Sequence, residues 1–148
     1  LPTYSYCLSS PLCYNLLMPD SLTIFTDGGS RGNPGRSACA FVIPNVYQQG
    51  FYLGIGTNNN AEYQGVLKAF EYLETSTQKS KQLNFYLDSE LVVKQLTGLY
   101  KIKDQNIRQL VSQIKNYEIK YKVSYTHIPR SQNAAADLLV NQTLDQQI

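Results

Sequence analysis

Five short runs of apolar and β-branched residues, each bounded by turn-forming residues, predict five β-strands. The glycine-rich run GGSRGNPG (28–35) lies between the first two, so it is predicted to connect them as a hairpin loop. Pro44 and Asn45 mark a turn between the second and the third. In chain order the five runs are LTIFTD (22–27), SACAFVIP (37–44), QGFYLGIG (49–56), LNFYLD (83–88) and KVSYTHIP (122–129).

After residue 57 the apolar residues recur at the spacing of an amphipathic helix. Thr57 and the three asparagines at 58–60 are candidate N-caps for this helix. Ser89 can cap a second, short helix that ends near Gly98. A third helix is predicted over 107–117, and a last helix begins near Asn133. The apolar stripe of the first helix consists of Tyr63, Val66, Leu67, Phe70 and Leu73.

The order of these elements, βββαβααβα, predicts an α/β fold with a five-stranded mixed sheet flanked by helices. An antiparallel hairpin portion is expected to precede parallel strands that are joined by helical crossovers. The chain has 148 residues, of which 43% are hydrophobic and 16% charged, as is typical of one globular domain. Its net charge of +2 permits a nucleic-acid partner without requiring one, because binding would depend on local clusters of charge.

The segment before the first strand allows two interpretations. Met18, the only methionine, directly precedes that strand, so residues 1–17 are either an upstream extension or the result of a misassigned start, and 18–148 form the domain. No run reaches the roughly 18 apolar residues that span a membrane, so no membrane association is expected. The three cysteines show no metal-site spacing and cannot all pair, which predicts a reducing compartment and a cytoplasmic protein. They are Cys7, Cys13 and Cys39.

Four carboxylates occupy positions that could form a site. Asp27 and Asp88 each end a predicted strand, where ligands of α/β sheets bind. Glu62 lies in the first turn of its helix on the face toward the sheet, and Asp137 opens the last helix. Taken singly, each has an ordinary explanation, since acidic residues suit helix N-termini and turns. Four converging carboxylates would repel one another unless cations neutralised them, which favours two Mg²⁺ ions, with Mn²⁺ as a possible substitute.

The glycines after Asp27 and the single histidine each allow two interpretations. Gly28 and Gly29 either form a plain turn or leave bare backbone against which a sugar-phosphate chain can lie. The run lacks the spacing of a P-loop, and a strand rather than a helix follows, so a dinucleotide-binding fingerprint does not fit either. His127 is either a structural residue at a strand end or a proton carrier near a metal-bound phosphate.

Four stretches together resemble the type 1 ribonuclease H family of the ribonuclease H-like superfamily. The resemblance covers roughly residues 21–145 and implies a metal-dependent endonuclease. That enzyme would hydrolyse the RNA strand of an RNA/DNA hybrid to 5′-phosphate and 3′-hydroxyl ends. The stretches are FTDGGSRGNPG (25–35), TNNNAEY (57–63), YLDSELVVKQLTG (86–98) and HIPRSQNAAAD (127–137).

The resemblance also implies roles for individual residues. Asp27, Glu62, Asp88 and Asp137 would be the metal ligands, and His127 would assist proton transfer or product release. Contacts with the hybrid would come from its backbone and 2′-hydroxyls, so that recognition depends on shape rather than on sequence. The expected substrate-binding residues are Gly28, Gly29, Asn33, Thr57, Asn58, Asn59, Tyr100 and Asn133.

This chain departs from some members of the family, which carry a long basic helix and loop that grips the hybrid. Here the corresponding stretch, LTGLYKIKDQN (96–106), is short, so binding is expected to be weak and sensitive to salt. Tyr100 either stacks on the DNA or is a half-buried core residue. A monomer without a protein partner is expected. The alternative functions are a DNA nuclease or strand-transfer enzyme of similar fold and a catalytically inactive nucleic-acid-binding module.

Overall fold

A computed structural model of the protein describes residues 20–77 and 80–147. The predicted extension 1–17 lies outside the described residues, so the division of the chain at residue 18 stays a prediction. The strands are β1 (Ser21–Arg31), β2 (Gly35–Ile43), β3 (Tyr47–Gly56), β4 (Gln82–Leu87) and β5 (Lys122–His127). The α-helices are α1 (Asn58–Thr75), α2 (Glu90–Leu96), α3 (Gln105–Glu118) and α4 (Ala134–Asp145), and a 3₁₀ turn (Arg130–Gln132) precedes α4.

The strands form one five-stranded sheet in the order β3-β2-β1-β4-β5, which confirms the predicted mixed sheet. β1, β2 and β3 pair antiparallel, whereas β1, β4 and β5 pair parallel. The carboxyl ends of the three parallel strands therefore meet at one edge of the sheet, and this edge is where a ligand site is expected. No helix among the described residues is long and apolar enough to cross a lipid bilayer.

Helices cover both faces of the sheet. α1 packs on β1 and β2 over the larger core, which includes the fully buried Phe41, Phe70 and Phe85, and α3 lies against α1. α4 covers the opposite face of β1, β2 and β3. There Ala38 and Ala40 are completely buried against the α4 side chains, so the small β2 residues let the helix lie close to the strand. The two helices that pack on β1 thus lie on opposite faces of that strand.

The predicted helix ends are confirmed by their hydrogen bonds. The Thr57 side chain accepts a hydrogen bond from the Asn60 backbone amide at 3.2 Å, and Ser89 caps α2 in the same way. Gly98, just after α2, has a φ of +83°, a conformation that glycine adopts without strain. The sequence-based bounds of the first loop were wrong. β1 continues through the first four residues of GGSRGNPG to Arg31, because that half of the run pairs with β2, and only residues 32–34 form the turn.

Candidate active site

Asp27 and Asp88 lie side by side because of the parallel register of β1 and β4. Phe25 pairs with Tyr86, and beyond that pair the two strands diverge. The two aspartates each follow two residues later, one still within β1 and the other just past the end of β4. The prediction from the strand ends was correct for Asp88. For Asp27 the prediction was wrong, because β1 continues past it to Arg31. Asp27 lies beside Asp88 because the pairing of β1 with β4 ends two residues before it, at Phe25.

The prediction that Glu62 lies in the first turn of its helix was wrong, because α1 begins at Asn58 and has no acidic residue in its first turn. Glu62 reaches the aspartates because α1 crosses β1 at very close range. A Cβ atom added to Gly28 would lie 2.5 Å from the backbone nitrogen of Glu62 and would clash with the Ala61 carbonyl group. A Cβ atom added to Gly65 would lie 2.8 Å from the Asp27 carbonyl oxygen. These two glycines remove the side chains that would hold the helix away from the strand. One carboxylate oxygen from each of Asp27, Glu62 and Asp88 lies within 4.8 Å of the others.

Asp137 lies on the wall of the same cleft rather than within this tight group. Its Oδ1 atom is 3.7 Å from the Arg130 guanidinium and 3.5 Å from the Asn141 side-chain amide. Its negative charge is among the causes that raise the pKa of Asp27. The structure therefore brings together all four predicted carboxylates in one cleft, with three in mutual contact range and the fourth beside them.

Burial and mutual repulsion make the cluster hard to ionise. Burial, followed by the charge of Asp88, raises the pKa of Asp27 from 3.8 to about 7. Burial, followed by the charges of Asp27 and Asp88, raises the pKa of Glu62 well above its usual value. A hydrogen bond from the Gly28 backbone and the charge of Arg130 act in the opposite direction on Asp27. Without cations, neutral pH thus leaves part of this cluster protonated.

The donor set fits a divalent cation. The Glu62 Oε2 atom is buried and has no hydrogen-bond partner among the described residues, which is costly for a carboxylate unless a cation lies against it. Carboxylate oxygens are the hard ligands that Mg²⁺ and Mn²⁺ prefer. A cation would also relieve the repulsion that raises the pKa values of Asp27 and Glu62.

The side chain of Asn133 is used inside the protein. Asn133 is only 1% exposed, and its amide nitrogen lies 2.9 Å from the Thr26 carbonyl oxygen and 3.3 Å from Asp88 Oδ2. The expected substrate contact is thus replaced by a positioning role for the two strands that carry the aspartates. In the sequence, an asparagine before a helix is indistinguishable from an ordinary N-cap, yet Asn133 makes no side-chain cap hydrogen bond.

Gly28 and Gly29, which follow Asp27, have different roles in the structure. The bare backbone expected at Gly28 is filled by α1, as described above, so the missing side chain serves packing. At Gly29 an added Cβ atom would meet nothing nearer than Asn58 Oδ1 at 3.9 Å, so its face remains open to the cleft. Both glycines line the cleft with their backbones. Only at Gly29 does the structure leave the space that the hypothesis of a close backbone approach requires.

The other polar residues expected to touch the substrate lie together near the start of α1. Asn58 lines the carboxylate cleft and accepts hydrogen bonds from the Ser30 backbone amide at 2.8 Å and the Ser30 hydroxyl at 3.0 Å. Its own backbone amide donates to Asn33 Oδ1 at 3.0 Å. Asn33, Thr57 and Asn59 line a second, neighbouring cleft, into which Asn58 also extends. These hydrogen bonds join the hairpin turn to the helix, so the two clefts form one polar surface.

Tyr100 and His127 lie outside the carboxylate cleft. Tyr100 is 49% exposed, and the Lys94 ammonium lies 4.9 Å from the centroid of its ring. Of the two interpretations, the half-buried core residue fails in one respect, because Tyr100 is not among the residues packed into the core clusters. His127 ends β5 as an exposed residue and is paired in register with Leu87, the residue before Asp88. The histidine is therefore at the predicted edge of the sheet, one strand away from the carboxylates.

The sequence interpretation missed the two cationic residues that line the described cleft, Arg31 and Arg130. Arg130 follows the 127–129 stretch directly, and its charge lowers the pKa values of Asp27 and Glu62. Arg31 lies within GGSRGNPG, where the glycines dominated the interpretation. Arg130 could have been identified from the sequence, because it lies between His127 and Asp137 in one of the four stretches. Nothing in the residues around Arg31 distinguishes it from an ordinary surface arginine.

Comparisons with known proteins agree on one family. The sequence model of the RNase H family matches residues 19–145. The chain is 35% identical to ribonuclease HI of Halobacterium salinarum over 82% of its length, and 30% identical to a bifunctional protein of Mycobacterium tuberculosis over 84%. It spans 63% of the first relative and 35% of the second.

Solved structures show the same relationship. LC11-RNase H1 in complex with an RNA/DNA hybrid superposes with a TM-score of 0.80 at 33% identity, over 85% of this chain and 98% of that one. RNase H1 from the halophilic archaeon Halobacterium salinarum gives a TM-score of 0.78 at 33% identity, with the same coverage of both chains. The similarity thus covers both the sheet and the helices that carry the carboxylates.

Proposed function

The chain belongs to the RNase H family, and we propose that it is an endoribonuclease that hydrolyses the RNA strand of RNA/DNA hybrids. The products would carry 5′-phosphate and 3′-hydroxyl ends. The observation that carries this proposal is the approach of Asp27, Glu62 and Asp88 to within 4.8 Å of one another at the edge of the sheet. A surface that only bound nucleic acid would gain nothing from this repulsive cluster, which disfavours an inactive module.

The carboxylates are assigned to holding two divalent cations, Mg²⁺ or alternatively Mn²⁺. Asp27, Glu62 and Asp88 supply the tight group of ligands, and Asp137 supplies the fourth from the cleft wall. When bound, two such ions activate the attacking water and neutralise charge on the leaving oxygen of a phosphodiester. Asn133 holds Asp88 in place, so the ligand geometry is set before any ion arrives.

Recognition of the hybrid is assigned to the polar surface beside the carboxylates. The backbone of Gly29 would lie against the RNA strand, where contacts with 2′-hydroxyls distinguish RNA from DNA. Gly28 would support this approach indirectly, because its missing side chain leaves room for α1. Asn33, Thr57, Asn58 and Asn59 would contact the sugar-phosphate backbone, and Tyr100 would stack against the DNA strand. A relative of known structure, LC11-RNase H1, has been solved in complex with an RNA/DNA hybrid, which supports this substrate class.

His127 is proposed to assist proton transfer or product release from the strand next to the site. We also propose that the protein acts as a monomer without a protein partner, and that it is cytoplasmic. The last point rests on the sequence-based expectation of a reducing compartment, with which the buried free thiol of Cys39 is consistent.

The proposed function is tested with one end-labelled RNA strand in three forms: paired with DNA, paired with RNA, and single. Each form is incubated with the protein in Mg²⁺ and in EDTA. We expect cleavage of the RNA in the hybrid alone, and we expect this cleavage to be lost in EDTA and in the Asp27→Asn variant. The control variant Glu71→Gln should retain it, because it removes only a partly exposed acidic charge that pairs with Lys68 on α1. Binding to the hybrid without cleavage in Mg²⁺ or Mn²⁺ would instead favour the inactive module.

A further inference from the structure

Arg31 places a positive charge in the carboxylate cleft. Side chains alternate along a strand, so Asp27, Gly29 and Arg31 point to the same face of β1. Arg31 lines the same cleft as the carboxylates. At about 3.3 Å a residue, its position on the strand is roughly 13 Å from that of Asp27. A nucleic-acid strand lying along β1 from the carboxylates would therefore reach Arg31 within a few nucleotides.

The partner that Arg31 has in this structure is weakly held. Its guanidinium lies 2.6 Å from Asp145 Oδ1 and 3.4 Å from the Asn141 carbonyl oxygen, both near the end of α4. The Arg31 side chain is 43% exposed and that of Asp145 is 66% exposed. Exposed ion pairs of this kind contribute little to stability and are screened by salt. Little free energy therefore opposes an exchange of Asp145 for another anion.

The attachment of α4 to the sheet does not depend on Arg31. Arg36, the cross-strand partner of Arg31, donates a hydrogen bond to the Leu144 carbonyl oxygen at 2.7 Å and is partly buried. Ala38 and Ala40 of β2 also pack on α4. The end of the helix is thus fixed by the partly buried contact of Arg36 and by the packing on β2, which leaves the exposed Arg31 free to change partner.

A phosphodiester suits this position. A guanidinium binds phosphate through two parallel hydrogen bonds, a geometry that an ammonium group cannot reproduce. The cleft carries four carboxylates, so a phosphate beyond the reach of the metal ions requires a cation from the protein. We propose that Arg31 exchanges Asp145 for a phosphate of the RNA strand, a few nucleotides from the bond that is cut, and that Asp145 competes with this phosphate. The assignment to the RNA strand rests on the proposed function, because β1 also carries Asp27.

Binding measured against salt tests the exchange. Hybrid binding is followed by fluorescence anisotropy in the Asp27→Asn background, so that the substrate stays intact. There we compare Arg31→Ala, Asp145→Ala and Lys122→Ala. Lys122 begins β5 and so lies at the opposite end of that strand from His127, which makes it a control for loss of one positive charge. We expect Arg31→Ala to weaken binding about fivefold to tenfold at low salt and to reduce the salt slope by about one.

The two partners of the ion pair give opposite predictions. If Arg31 binds phosphate, Asp145→Ala removes a competitor and strengthens binding, by about twofold to threefold at low salt. If Arg31 only anchors α4, both variants lose the same ion pair and weaken binding alike, which would overturn the proposal. An Arg31→Ala variant with the affinity and salt slope of Lys122→Ala would overturn it equally.

Steady-state cleavage separates this inference from the proposed function. With Asp27 intact, Arg31→Ala should raise KM and leave kcat nearly unchanged, because the contact is distant from the reacting bond. Hybrid cleavage with unchanged KM in Arg31→Ala would contradict the inference and leave the nuclease assignment standing. If the unsubstituted chain binds the hybrid without cutting it, the proposed function fails, while the ranking of the variants still decides the role of Arg31.

Discussion

Asn133 joins the two strands that lead to Asp27 and Asp88 through one amide nitrogen, which donates to Asp88 Oδ2 at 3.3 Å and to the Thr26 carbonyl oxygen at 2.9 Å. Thr26 directly precedes Asp27, so a single buried side chain sets the spacing between the backbone of one aspartate and the carboxylate of the other. Because Asn133 directly precedes α4, the same residue relates the helix that carries Asp137 to the sheet.

Replacing Asn133 should therefore affect catalysis as well as stability. Asn133→Ala leaves the Thr26 carbonyl and Asp88 without this donor, and the free energy of unfolding should fall by about 1–3 kcal/mol. We expect kcat to fall about tenfold with a smaller change in KM, since a misplaced ligand acts on the chemical step. Denaturant unfolding and steady-state kinetics measure the two effects. A variant that is destabilised but keeps its kcat would reduce Asn133 to a structural residue.

Gly28 and Gly29 should respond very differently to the same substitution. Gly28→Ala forces a Cβ atom into the backbone of α1, so the loss should be several kcal/mol or folding should fail. Gly29→Ala meets open space and should change the free energy of unfolding by less than about 1 kcal/mol. Thermal unfolding of the two variants gives the comparison. If the hybrid lies against Gly29, its variant should also bind the hybrid less tightly while remaining folded; unchanged affinity would exclude that contact.

The stability of the metal-free protein should decrease as pH rises. The pKa of Asp27 is raised to about 7 in the folded state and returns to near 4 in the unfolded chain. The folded state thus holds a proton that the unfolded state has lost, and this stabilisation is complete below pH about 4 and disappears as pH rises through about 7. Between about pH 5 and pH 8, Asp27 should account for a loss of about 3 kcal/mol, with Glu62 acting in the same direction.

Denaturant unfolding in EDTA measures this dependence, and Asp27→Asn should flatten it. In Mg²⁺ the trend should weaken or reverse, because cations compete with protons for the same oxygens. A free energy of unfolding that rises with pH in EDTA would show that these carboxyl groups are ionised in the folded protein.

Glu62→Gln should separate stability from metal binding. The substitution removes a buried carboxyl group whose Oε2 atom has no hydrogen-bond partner among the described residues, so the EDTA-treated variant should be at least as stable as the parent at pH 8. Mg²⁺ should raise the Tm of the parent and of Glu71→Gln, and it should leave that of Glu62→Gln nearly unchanged. Thermal scans at several Mg²⁺ concentrations provide the measurement. An unaltered Mg²⁺ response in Glu62→Gln would remove Glu62 from the ligand set.

Tyr100 offers a test of the proposed DNA contact. Because the ring is 49% exposed, Tyr100→Ala should change the Tm little and should weaken hybrid binding by about 1 kcal/mol through lost stacking. Tyr100→Phe keeps the ring and loses only the hydrogen bond from Lys94, so its affinity should stay close to that of the parent. Anisotropy titrations of the three proteins decide the point, and equal weakening by both substitutions would assign the effect to the hydroxyl group instead.

The helices and strands of this protein and the residue types of its site follow from short stretches of its amino-acid sequence. The helix caps at Thr57 and Ser89 and the strand runs depend on neighbours a few residues away, so they are visible in the sequence. The four carboxylates were found in the same way, because the sequence runs predicted each of them at an element boundary. Asp88 and Asp137 lie at such boundaries, whereas Asp27 lies inside β1 and Glu62 inside α1. Their resemblance to a family then supplied the roles.

Which of these residues meet, and which contacts their neighbours make, depends on how the elements pack in three dimensions. The hydrogen bond of Asn133 to Thr26 spans 107 positions, and the contact of Arg31 with Asn141 spans 110. Such contacts follow from the order of the strands and the side of the sheet on which α4 lies, which local spacing does not encode. For the same reason, Gly28 looked like an opening for a ligand and proved to be the place where α1 touches β1.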